Sequence, residues 1–359
     1  MTGLSDPRPV LITGGAGFVG SNLADRLASE GHEVIVYDSL ARPGVETNLA
    51  WLIDRHGPRI RPVQADIRDA ATLTEAARQA KAVFHLAAQV AVTTSLVHPL
   101  DDFSVNVQAT VQLLEAIRLD NPRAPVIFAS TNKVYGNLSD VPLALGENGY
   151  RPATLAIARH GIDEKRPLDF HTPYGCSKGA ADQYVLDYAR SFGLRAAVLR
   201  MSCIYGRRQM GTEDQGWVAH FLISALNGRP ITLFGDGHQV RDILDVRDAV
   251  DAYVGLWGAI DRWSGRAFNL GGGPDNAVSL NQLLTYMSEL LGRPVLIGQG
   301  GWRAGDQRYF VSDRRAIAAA LDLAEPIPWR AGVRDLAAWL EDQGVGEARS
   351  APHYAQAAT

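Results

Sequence analysis

Tyr174 and Lys178 stand four residues apart in the run Tyr-Gly-Cys-Ser-Lys, directly after Pro173. Proline suits the first turn of a helix, and Val185, Leu186 and Ala189 recur downstream at helical spacing. Residues four apart share a helix face, so a phenol and an ammonium can lie side by side there. A neighbouring cation favours phenolate, whose usual pKa is about 10, and makes tyrosine a usable proton donor and acceptor near neutrality. The chemistry on offer is reversible oxidation of an alcohol. By composition alone such a pair more often faces solvent, so the rest of the chain must supply a hydride acceptor and a further polar group.

The acceptor's site is legible upstream. An apolar run, Pro9 to Thr13, leads straight into Gly14, Gly17 and Gly20, and a helical pattern begins at Ser21. Gly14 permits the tight turn, Gly17 lets backbone amides approach a pyrophosphate, and Gly20 allows close helix packing, with the helix N-terminus favouring negative charge. A second strand, 33–38, ends in Asp38, placed to hold the hydroxyls of an adenosine ribose. That carboxylate favours NAD over NADP because it would repel a 2'-phosphate; nearby Arg42 argues the other way. Alternation continues with a strand at 60–64, Asp66, a helix at 71–80, and a strand at 82–86 running into Ala87, Ala88 and Gln89. Small residues there let backbone approach the cofactor. His85, inside an apolar run, reads as a packed strand residue. A helix at 103–119 precedes a strand at 125–130, whose end places Ser130 and Thr131 at a carboxyl edge, where open sheets of this kind bind ligands. Thr131 can hydrogen-bond a substrate hydroxyl.

Repeated strand and helix units predict an α/β fold with a Rossmann-type, doubly wound parallel sheet. Residues 137–172 read as a long polar connection able to cover the site. Past Gly206 the elements become shorter and mixed. The expected division is a nucleotide-binding domain at 1–205, a smaller mixed α/β substrate domain at 206–345 with segments returning to the main sheet, and a disordered tail at 346–359. Arg241 and Arg303, the latter followed by Asp306, offer guanidinium groups for a diphosphate.

Composition narrows the function class. A net charge of -4 gives no reason to expect nucleic acid or an acidic membrane as partner. Cys176 and Cys203, the only cysteines, are too few for a thiolate zinc site or a disulfide framework. No metal is expected. No apolar segment approaches the roughly 20 residues a membrane span needs, and the N-terminus does not read as a signal peptide, so the expectation is a cytoplasmic protein.

In this order, the glycine trio, Asp38, Thr131 and the Tyr174–Lys178 pair resemble the extended short-chain dehydrogenase/reductase family of nucleotide-sugar epimerases and dehydratases, over almost the whole chain. The resemblance implies NAD retained through the catalytic cycle and a catalytic trio of Thr131, Tyr174 and Lys178. It implies a cofactor shell of Gly14, Gly17, Phe18, Val19, Gly20, Asp38, Ser39, Arg42, Asp66, Ile67, Leu86, Ala87, Ala88, Gln89, Asn106 and Ser130, with Tyr174 and Lys178. Substrate contacts implied are Val92, Thr131, Asn132, Gln215, Val218, Arg241, Arg303 and Asp306. Segments 87–95, 130–136, 168–183, 214–218 and 239–242 are similar to the branch that epimerises C2 of CDP-3,6-dideoxyhexoses, which favours a CDP-hexose as substrate. Related 4,6-dehydratases carry an Asp-Glu pair where this chain has Asn132 and Lys133, so water elimination is disfavoured. Cys203 stands where many 4-epimerases have asparagine. The alternatives are a UDP-sugar 4-epimerase or decarboxylase and, outside enzymes, a non-catalytic nucleotide-sensing protein, which the intact Tyr174–Lys178 pair argues against. The family also implies that the helix at 103–119 and the Tyr174 helix form a four-helix interface in a homodimer or higher oligomer.

Overall fold

Apolar runs long enough for one strand each, with β-branched residues, collect into a single sheet buried on both faces. The structure, a computed structural model, describes residues 6–303 and 305–346. Its main strands are β1 (Val10–Thr13), β2 (Val34–Asp38), β3 (Ile60–Gln64), β4 (Ala82–His85) and β5 (Val126–Thr131). A hairpin of β6 (Leu143–Gly146) and β7 (Gly149–Pro152) stands apart, followed by β8 (Ala196–Met201), β9 (Cys203–Tyr205), β10 (Ile231–Phe234), β11 (Val240–Asp245) and β12 (Ala267–Leu270). Seven strands form the sheet in the order β12-β8-β5-β4-β1-β2-β3, all parallel. Parallel strands covered on both faces carry continuous apolar sequence, as β1, β4 and β5 do. Strand order reverses between β1 and β4, which opens a crevice at their carboxyl ends.

Helices α1 (Phe18–Ser29) and α2 (Val45–His56) pack on one face, with the helix Val246–Gly258. The other face takes α3 (Ala70–Gln79) and, beyond the short α4 (Val92–Val97) and α5 (Pro99–Phe103), α6 (Ala109–Asp120). After α7 (Leu155–His160), the 21-residue α8 (Thr172–Phe192) lies on that second face too. The helix expected at 103–119 therefore starts earlier and is not uniform. Between α5 and α6 a π-helical turn, Ser104–Gln108, interrupts it. The polar connection at 137–172 is likewise partly regular, holding the β6–β7 hairpin and α7.

The later part of the chain builds a second layer over the carboxyl edge. There β11 pairs with β9, with Ala277–Ser279 and with Tyr309–Phe310, while β10 pairs with Ile297–Gly300. Trp217–Leu226, Leu280–Leu291 and Trp329–Asp342 enclose its own apolar core. Strand β12 leaves this part of the sequence to join β8 at the edge of the main sheet. From 347 onward the tail lies outside the described residues.

Candidate active site

The crevice between β1 and β4 is floored by glycine. Gly14 takes φ +69°, and a Cβ there would meet Ala87 N at 2.8 Å; one on Gly20 would meet the Gly14 carbonyl oxygen at 2.2 Å. Only bare backbone lets β1, the loop after β4 and α1 approach so closely. Phe18 and Val19 open α1, where the first amides of a helix have no intrahelical acceptor and so suit a phosphate. Asp38 closes β2. Its Oδ2 accepts from Ala16 N at 3.0 Å and its Oδ1 from Leu40 N at 2.9 Å, which aims the carboxylate across the mouth of the loop. Lone pairs remain for ribose hydroxyls. The residues present thus fit a dinucleotide.

Other expected cofactor residues fall unevenly. Ser39 and Arg42 are exposed beside Asp38. Asp66 is engaged by Arg68, through Nε at 2.9 Å and Nη2 at 2.6 Å, and Ile67 is a core residue. Leu86 and Ala87 both donate their amides to Thr13 Oγ1 at 3.2 Å, and Ala88 and Gln89 continue that floor.

Asn106 ties this floor to the Tyr174 helix. It sits in the π turn, a distortion often found at functional sites. Its Oδ1 accepts from Gln89 N at 2.9 Å, and its Nδ2 reaches the Gln89 carbonyl at 3.0 Å, Ser177 Oγ at 3.0 Å and Asp102 Oδ1 at 3.2 Å. Ser177 in turn donates to the Tyr174 carbonyl at 3.2 Å, and Tyr174 N donates to Ser95 Oγ on α4 at 3.2 Å. Ser177, one turn from Tyr174 on the same helix, was available to a helical reading of the sequence; Ser95 and Asp102 carry no local signal.

His85 is buried in β4 behind Tyr174 and Lys178. Thr110 Oγ1 donates to the Asn106 carbonyl at 2.7 Å, so it accepts from His85 Nε2 at 2.9 Å, and His85 Nδ1 accepts from Thr13 Oγ1 at 2.7 Å. This pattern fixes the imidazole as a neutral structural link. Burial, with the charge of Lys178, pushes its pKa down from 6.5 to about 3.

Tyr174, 9% exposed, and Lys178 lie on the inner side of α8 over the end of β5. Thr131, the last residue of β5, lies close enough to Tyr174 to favour its phenolate, while its own hydroxyl donates to Asn132 Oδ1 at 3.3 Å. Lys178 Nζ sits 4.2 Å over the ring of Phe128. Burial pushes the phenol up to about 12, against the pull of Thr131, and pushes the ammonium down to about 7, against the carboxylates of Asp182 and Asp102. Desolvation, which disfavours both charged forms, is the largest influence on each, and the shifts come from burial, Thr131 and the two carboxylates rather than from the pair itself. Ser130 Oγ donates to Asp182 Oδ2 at 2.8 Å, and Arg200 on β8 grips the same buried carboxylate through two contacts of 2.9 Å. That ion pair locks α8 to the sheet one turn beyond Lys178.

On the substrate side, Asn132 donates to Gln307 Oε1 at 3.2 Å and Gln307 to the Gly136 carbonyl at 2.6 Å, joining segment 305–307 to the turn after β5. Arg241 lies 3.5 Å from Asp306 Oδ1 and donates to the Gln307 carbonyl. Arg303 stacks 3.7 Å over Phe234 and donates to the Glu213 carbonyl at 2.9 Å, beside Gln215. A cavity of about 600 Å³ opens here, lined by Arg303, Asp306, Arg308, His171 and Thr172. Val92 begins α4 near Gly305. Val218 differs from expectation: its side chain is in the apolar core, so only its backbone is free for a ligand.

Comparison with known proteins places this geometry. Residues 10–271 match the NAD dependent epimerase/dehydratase family. A CDP-paratose 2-epimerase of Salmonella typhi is 42% identical, over 92% of this chain and 98% of its own. A putative UDP-glucose 4-epimerase of Methanocaldococcus jannaschii is 32% identical, over 79% of this chain and 82% of its own. The crystal structure of the UDP-glucose 4-epimerase of Thermus thermophilus in complex with NAD matches with a TM-score of 0.77 at 29% identity, over 93% of this chain and 99% of its own. The chain is therefore a member of the NAD dependent epimerase/dehydratase family.

Proposed function

We propose that this enzyme inverts C2 of a CDP-3,6-dideoxyhexose, interconverting CDP-paratose and CDP-tyvelose. The observation that carries the chemistry is the buried Tyr174 on α8, close enough to Thr131 at the end of β5 for that side chain to favour the phenolate, with Lys178 one turn along the same helix. The sugar is argued from the 42% identical CDP-paratose 2-epimerase and from Asn132 and Lys133, which offer no acid for eliminating water.

Gly14, Gly17, Gly20 and Asp38 would hold the adenosine and pyrophosphate, and Tyr174 and Lys178 the nicotinamide ribose. NAD, when bound, supplies a reversible hydride acceptor, so oxidation and re-reduction of one sugar carbon leave no net redox change. Thr131 orients the reacting hydroxyl, and Tyr174 takes its proton and later returns it. For this Tyr174 must stand as the phenolate before the proton arrives, and the charge of Lys178 stabilises that form against the burial that disfavours it. The ketosugar turns in the pocket between the two steps and is reduced on its other face. Arg241 and Arg303 keep the diphosphate fixed while the sugar turns.

The UDP-sugar relatives favour a second reading, a UDP-sugar 4-epimerase. Incubating the purified protein with CDP- and UDP-sugars and locating the inverted carbon by NMR separates the two; inversion at C4 of a UDP-sugar would refute the first. For the role of Tyr174, the test is Tyr174→Phe, which should lower kcat about 10²- to 10⁴-fold with NAD still bound. Normal turnover by that variant would remove the assignment.

The protein also functions as a homodimer in this reading. Leu96, Val97, Leu100, Phe103, Leu119 and Phe192 are exposed on α4, α5, α6 and α8, more apolar surface than a monomer needs to show. Cytoplasmic work suits its two unpaired cysteines, Cys176 and Cys203, and among the described residues no helix is long and apolar enough to cross a membrane.

A further inference from the structure

Lys133 is a cation that the reaction above does not use. It lies in the turn Asn132–Tyr135 immediately after Thr131. Its Nζ donates to the Gly305 carbonyl at 3.0 Å, and among the described residues no carboxylate pairs with it. Arg241 converges on the same short segment, donating to the Gln307 carbonyl and lying 3.5 Å from Asp306 Oδ1. Gly305 and Gln307 are two residues apart, at most about 7 Å along an extended chain. Two cations therefore meet on one strip of backbone with one carboxylate, Asp306, between them. Burial and the charge of Arg241 push the Lys133 ammonium down to about 8, with Asp306 pulling the other way.

Like charges gathered out of water with half their counter-charge are unfavourable unless an anion joins them. Gly305, whose carbonyl Lys133 holds, and Asp306, beside Arg241, both line the cavity that Arg303 also borders. Arg303, by contrast, already has Glu213 and Asp214 within 3.3 and 3.8 Å. We propose that Lys133 is a ligand of the substrate diphosphate, which it shares with Arg241. The proposal rests on the nucleotide-sugar reading above and adds a residue that sets affinity for the diphosphate rather than for the base.

Calorimetry on NAD-loaded protein at pH 7, where Lys133 is mostly charged, tests it with CDP and cytidine as probes. Lys133→Met should weaken CDP binding about 10- to 100-fold and leave cytidine binding unchanged, and Lys133→Arg should restore most of the loss. Unchanged CDP affinity in Lys133→Met overturns the proposal, and so does an equal loss for cytidine, which would indicate damage to the pocket. If the wild-type protein binds UDP and not CDP, the CDP reading fails while UDP and uridine run the same test. If it binds neither, both readings fall.

Discussion

Acid should unfold this protein partly through His85, and the size of the effect follows from its surroundings. The side chain is 1% exposed and held neutral between Thr13 and Thr110. In the unfolded chain the imidazole takes up a proton near pH 6.5; in the folded protein burial delays this to about 3. Stability from this group is therefore fully present above pH 6.5 and is lost as pH falls through the interval down to about 3. At pH 5 protonation favours the unfolded chain about 30-fold, a loss of about 2 kcal/mol relative to pH 7. Replacing the residue by glutamine keeps a donor and an acceptor and removes the titration. Urea unfolding of His85→Gln and wild type at pH 7 and pH 5, at matched NAD loading, isolates the effect. His32 and His220, whose burial also lowers their pKa values, cancel in the comparison. Wild type should lose about 2 kcal/mol more than the variant between the two pH values. Equal losses would show that His85 is not held neutral as its hydrogen bonds require.

Arg200→Met leaves Asp182 buried without its cation, and melting should reveal a loss of about 3–5 kcal/mol; a loss under about 1 kcal/mol would mean that the pair does not anchor α8. Gly20→Ala puts a Cβ 2.2 Å from the Gly14 carbonyl oxygen, so the protein should purify without bound dinucleotide, as absorbance would show; full occupancy would contradict the tight cradle. Leu100→Glu combined with Phe103→Glu should convert a dimer to a monomer by light scattering at micromolar concentration. A monomeric wild type would remove the dimer altogether.

The glycine turn, Asp38, Thr131 and the Tyr174–Lys178 pair were legible because each stands at a junction between elements, where backbone geometry restricts residue type. What the sequence hid was what depends on distance along the chain. Gln307 meets Gly136, and Lys133 meets Gly305, only because the second layer folds over the sheet. The β6–β7 hairpin carried a turn signal, Asn148 before Gly149, but lay in a stretch dominated by polar residues and prolines. Spacing puts Tyr174 and Lys178 one turn apart on α8, where both are buried, yet spacing says nothing of desolvation, and burial is the largest influence on both.

The π turn at Ser104–Gln108 has one more consequence. Leu100 and Leu119, 83% and 64% exposed, lie nineteen residues apart. In an unbroken α-helix that spacing overshoots five full turns by one residue, about 100° of rotation. A π turn closes over one residue more than an α turn, which absorbs the overshoot and brings the two leucines back into phase. Relaxing that turn to α geometry with all its residues kept would therefore swing Leu119 about 100° away from Leu100, whereas deleting one residue from 104–108 would leave the two eighteen apart, five whole α turns, and keep them in phase while removing the turn that carries Asn106. The extra residue thus serves Asn106, and the π turn lets the helix carry it without turning the leucines out of line.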